Sequence, residues 1–335
     1  PSDYFNTVLY TGNGSARTIT TGMQPDLNWI KRRNQLDNHW WTDSVRGATK
    51  YIGSNRDNAE ATETTAVTGI TSTGFTLGDD SNQGEVNANT YTYASWNWKA
   101  GTSFTNDASA TGIGSIDSTG SFNTTSGFSI VSYTGTGSAG TIKHGLSSTP
   151  KMIIVKRISG AVQDWVVYHA SVGNNKALFL NAINAPDTDI AYFNDTSPTS
   201  SVFSVKSGGT NNNGDNCIAY CFADVQGFSK FGSYVGNGST DGPFIYTGFK
   251  PSFVMTKNSS GANNWTMCDN KRNTFNPANS VLNPNVNTAE AINNPQDFVS
   301  NGFKNRATES NTNNTGSTYI YMAFAEEPLV GDNPA

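Results

Sequence analysis

Short apolar runs alternate along this chain with stretches of Gly, Asn, Ser and Thr, and no helical period persists over a useful length. The runs are rich in β-branched and aromatic side chains and are bounded by Gly, Pro, Asn or Ser, which predicts strands. Met152-Ile-Ile-Val155 is continuously apolar, the pattern of a strand covered on both faces. Val202–Val205, broken by Ser204, and the Tyr/Ile mixture of Tyr319–Phe324 predict half-buried strands. A single helical turn is expected at Thr288–Ile292.

The pattern recurs three times. Tyr10-Thr-Gly-Asn-Gly-Ser15 returns as Tyr133-Thr-Gly-Thr-Gly-Ser138 and as Tyr234-Val-Gly-Asn-Gly-Ser239. Each copy then has a Gly, a Pro and an apolar strand: Pro25 to Lys31, Pro150 to Lys156, Pro251 to Lys257. A Trp strand follows, aligned here on Trp40, Trp165 and Trp265. Next come Ser72–Leu77, Ser201–Val205 and Ser300–Lys304, and each copy closes on an aromatic strand ending in Trp98, Phe222 or Phe324. The expected fold is all-β, with three internal repeats as tandem antiparallel β-sandwich modules of jelly-roll or concanavalin-like type. Residues 1–101 are expected to form the first module, 102–128 a Gly/Ser/Thr-rich linker or extended surface ribbon, 129–231 the second module and 232–335 the third. The second and third are contiguous through Ala223–Gly232 and are expected to share an interface.

Composition sharpens this. Only 35% of residues are hydrophobic and Asn, Gly, Ser and Thr fill much of the rest, which could suggest disorder, but net charge is only −5 and aromatics reach 11%, enough apolar surface for a core. A net charge of −5 gives no footprint for nucleic acid, and the one basic run, Lys31-Arg32-Arg33, is short. No apolar stretch approaches the roughly 20 residues of a membrane-spanning helix. Three cysteines, Cys217, Cys221 and Cys268, make no disulfide framework; on one strand, Cys217 and Cys221 lie about 13 Å apart. Buried free thiols are expected. Neither a leader nor a coiled-coil shaft is read at the ends, so the modules are expected to make any attachment contacts themselves.

The segments Tyr133–Ser138, Pro150–Lys156, Trp165–His169, Ser200–Val205, Ile218–Phe222, Gly227–Ser239 and Gly242–Pro251 resemble an uncharacterised repeat family common in predicted structural proteins of marine tailed phages. The first copy fits more loosely, through Asp43–Lys50 and Gly74–Gly78. Members carry virion, tail-fibre or concanavalin-like lectin labels. The resemblance implies a virion location, after synthesis in the host cytoplasm, and supplies no catalytic residues.

The chemistry of the residues is sparse. His39, His144 and His169 are too few and too scattered for a histidine metal site, and no G-x-S-x-G elbow supports a serine triad. Asp164, Asp195, Glu326 and Glu327 are the nearest to a glycosidase carboxylate pair, but they fall in turns or at strand ends. No enzyme activity and no obligatory cofactor are expected. Calcium-loop candidates are Asp187-Thr-Asp189 and Asn211-Asn-Asn-Gly-Asp215, with Asp79-Asp80 as a further acidic turn; each is equally a plain turn with Asx capping. Trp40, Trp165 and Trp265 recur and read as shared core. Trp29, Trp41 and Tyr51 occur only in the first copy and are the glycan-contact candidates.

The expected function is therefore a non-enzymatic structural protein of a tailed-phage virion, either head decoration or fibre/appendage component. A lectin-like protein binding host-surface glycan is the alternative, and a glycan depolymerase a third. Expected partners are capsid or tail proteins and other copies of the chain, with a trimer drawn by analogy.

Overall fold

The structure is a computed structural model and describes residues 1–325. It is all-β, built of several antiparallel sheets. The predicted strands form where the apolar runs lie. Helix among the described residues is confined to single turns, Ala108–Thr111, Ile190–Phe193 and the 3-10 turn Gly208–Thr210. Residues 288–290 are irregular and Ala291 begins a strand, so the turn expected there is absent: Ala291 and Ile292 pair with Val281 and Ser280 instead.

Three large sheets share one strand order. In the first, Phe5–Thr11 lies beside Thr92–Trp98, then Leu27–Arg32, then Trp40–Asp43. In the second, the sequence is Phe128–Thr134, Asn216–Phe222, Met152–Arg157, Val166–His169. In the third it is Ser229–Val235, Thr318–Ala325, Pro251–Asn258, Thr266–Asp269. A smaller sheet lies against each: Arg17–Thr20 with Gly74–Leu77 and Val67–Thr71; Gly140–Lys143 with Val202–Val205; and Phe244–Tyr246 with Gly302–Asn305, Ala291–Val299 and Ala278–Val281.

Period-two alternation sends side chains of each large sheet to two different cores. Ile153 and Val155 pack outward with Ile142, Phe203 and Val205 of the small sheet. Met152 and Ile154 face inward and join a core shared by all three sheets. The same division separates Ile30 from Leu27 and Trp29, and Val254 from Phe253 and Met255. This explains why Met152–Arg157 and Pro251–Asn258 are buried at every position: each is roofed on one side and faces the other two sheets on the other.

The shared core closes on itself. Trp98, Phe222 and Phe324 occupy the same step of the three sheets, opposite Leu27, Met152 and Phe253. Their rings touch pairwise, with centroids 6.3 Å (98 to 222), 5.7 Å (98 to 324) and 6.2 Å (222 to 324) apart. One aromatic ring from each large sheet thus meets the other two in the shared core. Edge-to-face geometry at these distances is the favoured aromatic arrangement.

Residues 102–128 are not a linker. Thr102–Asn106 and Ser118–Asn123 form a hairpin that adds two strands to the outer edge of Phe128–Thr134. Their Gly and small polar residues serve close packing rather than freedom: a Cβ on Gly120 would meet the Ile130 carbonyl oxygen at 2.1 Å. The corresponding first strands of the other two sheets, Phe5–Thr11 and Ser229–Val235, are edges. The first stretch is thus not set apart but contributes a third of the common core.

Candidate functional site: the threefold junction

The three large sheets are joined by polar groups placed at corresponding strand positions. Asn55, Asn181 and Asn285 each accept, at the side-chain oxygen, the backbone N–H of the residue that starts the fourth strand: His39, Trp165 and Trp265. The ring nitrogen of each of those residues then reaches the next sheet. Trp165 Nε1 donates to the Gly53 carbonyl at 3.0 Å, Trp265 Nε1 to Phe179 at 2.8 Å, and His39 Nε2 to Asn283 at 3.0 Å. Each acceptor stands two residues before the clamping Asn of its own sheet, so three donors and three acceptors close a ring. Second to first, third to second and first to third leave no sheet without a neighbour.

The other end of the fourth strand repeats the arrangement. Asp43, His169 and Asp269 lie opposite Leu27, Met152 and Phe253. Asp43 Oδ2 accepts from Tyr220 Oη at 2.8 Å and Asp269 Oδ2 from Trp96 Nε1 at 3.0 Å. His169 Nε2 meets the Tyr321 carbonyl at 3.3 Å. Both carboxylates also hold an arginine three residues on, Arg46 at 2.6 Å and Arg272 at 2.5 Å. Glu60 and Glu290 complete the pairs, each at 3.2 Å. Arg33 of the first sheet closes on Glu290 through two bonds of 2.9 Å. All these groups are buried or half-buried, and such hydrogen-bonded charge is costly to break by removing one partner.

The loops are pinned with equal regularity. Asn87, Asn211 and Asn313, all fully buried, accept from the backbone of Asn13, Thr136 and Asn237, and donate to the carbonyls of Ser15, Ser138 and Ser239. The tyrosine that opens each loop, Tyr10, Tyr133 or Tyr234, donates to the carbonyl just before that Asn. Sequence reading took Asn211 for a calcium-loop or turn residue and did not single out Asn87 and Asn313. The signal is present: each stands at the same spacing before Tyr93, Cys217 or Tyr319 on the closing strand. Asn is simply so frequent here that one recurring position is hard to pick out.

Each histidine is a fixed neutral tautomer. His39 Nδ1 accepts from Trp29 Nε1, His144 Nδ1 from the Leu146 amide and His169 Nδ1 from the Ser171 amide, while each Nε2 faces a carbonyl and must carry the proton. Burial pushes His144 and His169 down to about 4, and His39 well below the imidazole range. Lys31, Lys156 and Lys257, buried at one common step, are lowered by burial to about 8. Cys217, Cys221 and Cys268 are free and buried, and desolvation raises each thiol to about 12. Such thiols are poor nucleophiles at neutral pH.

Several sequence expectations are corrected. Trp29 and Trp41 are each only 1% exposed and sit in the common core, with ring centroids 4.6 Å apart; Tyr51 is 8% exposed and stacks on Trp40 at 3.7 Å. Neither tryptophan offers a ring face to a glycan, and Tyr51, covered on one face by Trp40, borders a surface cleft with Arg56 and Asn58. Trp40 is core, as are Trp165 and Trp265, but it is not their counterpart. Register pairs Ile30 with Trp40 and Val155 with Val166, so Trp40 matches Val166, and His39 matches Trp165. A one-residue slip moves a side chain to the opposite face, so Trp40 packs outward while the other two pack inward.

The calcium-loop candidates do not converge. Asp189 caps the turn Ile190–Phe193 through the Ala191 amide, Asp187 is exposed on a two-residue strand, and Asp215 pairs with Arg157 at 3.3 Å. Asp80 accepts the Val86 and Asn87 amides. Among the described residues no group of three or more His, Cys, Asp or Glu is placed to hold a metal ion. Asp164 accepts from Asn181, whereas Glu326 and Glu327 lie outside the described residues. No described helix is long and apolar enough to cross a membrane.

No curated protein and no solved structure matches the chain. The profile of one family, a domain of unknown function (DUF7483), matches residues 1–328, and the chain belongs to that family.

Proposed function

We propose that this protein is a non-enzymatic structural component of a tailed-phage virion, a head decoration or fibre/appendage protein. On this reading it consists of three diverged copies of one β-sandwich module, of jelly-roll or concanavalin-like type, closed into a single-chain pseudo-trimer. The observation that carries the architecture is the ring His39–Asn283, Trp265–Phe179 and Trp165–Gly53. Recurrence of donor, acceptor and clamping Asn at equivalent steps is the mark of copies that once formed the same contact among themselves. The virion assignment rests on the resemblance of the second and third copies to phage structural repeats. A rigid body whose polar groups are spent on internal clamps suits a particle component that must endure.

Immunogold labelling of particles tests this. Label at heads would mark a decoration protein and label at tails an appendage. Particles that carry no label, while the protein is found free in the lysate, would overturn the virion role. Release of reducing sugar from host polysaccharide by the purified chain would overturn the non-enzymatic one.

A further inference from the structure

The three small sheets differ in what they show to solvent. Tyr246 faces Gly302 across its ladder; the same step holds Thr20 facing Gly74 in the first small sheet and Lys143 facing Val202 in the second. Two residues earlier, Phe244 stands where the others have Thr18 and Thr141. The fold therefore does not require aromatic residues at these positions. Yet Tyr246 is 66% exposed and Phe244 48% exposed, and with Phe275 they are the exposed aromatic side chains among the described residues. All seven tryptophans, by contrast, are buried. Exposed aromatic surface confined to one copy is a recognition signal, because shared positions serve the core and differing ones are free to serve a ligand.

Tyr246 also borders a cleft of about 430 Å³, between its strand and the turn that leads from the second large sheet into the third. Asp224, Gln226 and Lys230 line the other side. Asp224 and Lys230 are paired at 2.9 Å, so the cleft offers a carboxylate, an ammonium and an amide with no net charge. That balance disfavours phosphate and polyanions, which need unpaired cationic groups. It suits a neutral polyol, whose hydroxyls both donate and accept. The apolar face of a sugar ring fits a flat aromatic platform.

We propose that the cleft between Tyr246 and the Asp224–Lys230 pair is a binding site for neutral hexose oligosaccharides. Tyr246 is the stacking platform, and Asp224, Gln226 and Lys230 bond the equatorial hydroxyls. This site is independent of where in a particle the protein resides.

The test is binding of the full chain to immobilised neutral glucose-, mannose- and galactose-series oligosaccharides, with uronic-acid and sulfated oligosaccharides alongside. Saturable binding to at least one neutral series is expected. Tyr246→Ala should weaken it at least about tenfold and Tyr246→Phe less than about threefold, since the ring is kept. Phe275→Ala, outside the cleft, should leave it unchanged. Because Tyr246 is exposed, its variants should keep the wild-type melting temperature, so loss of binding is not loss of fold. Absence of binding to every neutral series, a preference for the acidic sugars, or equal binding by Tyr246→Ala would overturn the proposal.

Discussion

Buried asparagine does at single positions what composition alone would assign to flexible loops. Asn211 accepts from the Thr136 amide and donates to the carbonyls of Ser138 and Lys206. Asn211→Ala should leave those buried backbone groups unpaired and cost about 2–4 kcal/mol, seen as a lower denaturant midpoint. Gln35→Ala, at an exposed site, should change stability by less than about 0.5 kcal/mol. A neutral Asn211→Ala would refute the clamp. The histidines set a pH dependence. Unfolded imidazole titrates near ~6.5, whereas native His144 and His169 hold out to about 4. Between those values the unfolded chain binds protons at these histidines that the native chain does not, so they lower stability as pH falls through this window; Asp37, raised by burial to about 7, offsets part of this. The melting temperature should decline from pH 7 to pH 4.5, and the imidazole NMR signals of the native protein should not titrate above pH 5. Titration of those signals near pH 6.5 would show the rings to be exposed.

Strands were legible where apolar periodicity carried them, and the recurring landmarks fall on corresponding strands in all three sheets. Two elements were not. The Trp strand was aligned on Trp40 by residue type, and only backbone register shows that Trp40 matches Val166 and that His39 stands where the other two sheets have a tryptophan. His39, the true mate of Trp165, shares with it only a ring N–H at a similar reach, a likeness of chemistry rather than of residue type. For Thr102–Asn123 the sequence left linker and surface ribbon open, because small polar residues describe a flexible tether and a tightly packed edge ribbon equally well; the ladder makes it a ribbon. Its ladder predicts slow hydrogen exchange at Ser118–Asn123, whose strand is paired on both sides. Exchange at the unprotected rate would restore the linker. Gly120→Val should disrupt this ribbon, given the 2.1 Å approach of Ile130 oxygen, and lower the melting temperature.

At the scale of the molecule, closure makes one body of three sheets. Each inward face is finished only by the other two, through the aromatic triangle at one level and the hydrogen-bonded ring at another. Trp265→Phe keeps the ring's bulk but leaves the Phe179 carbonyl unpaired, so it should cost about 1–3 kcal/mol, read as a lower denaturant midpoint. Because the sheets share a core, that loss should be felt by the whole chain rather than by the third stretch alone. Scanning calorimetry of the intact protein puts this most directly. One transition, with calorimetric and van't Hoff enthalpies equal and the Trp265→Phe variant shifted as a single peak, is the predicted result. Two or three separable transitions, only one of them moved by Trp265→Phe, would contradict the closed threefold core.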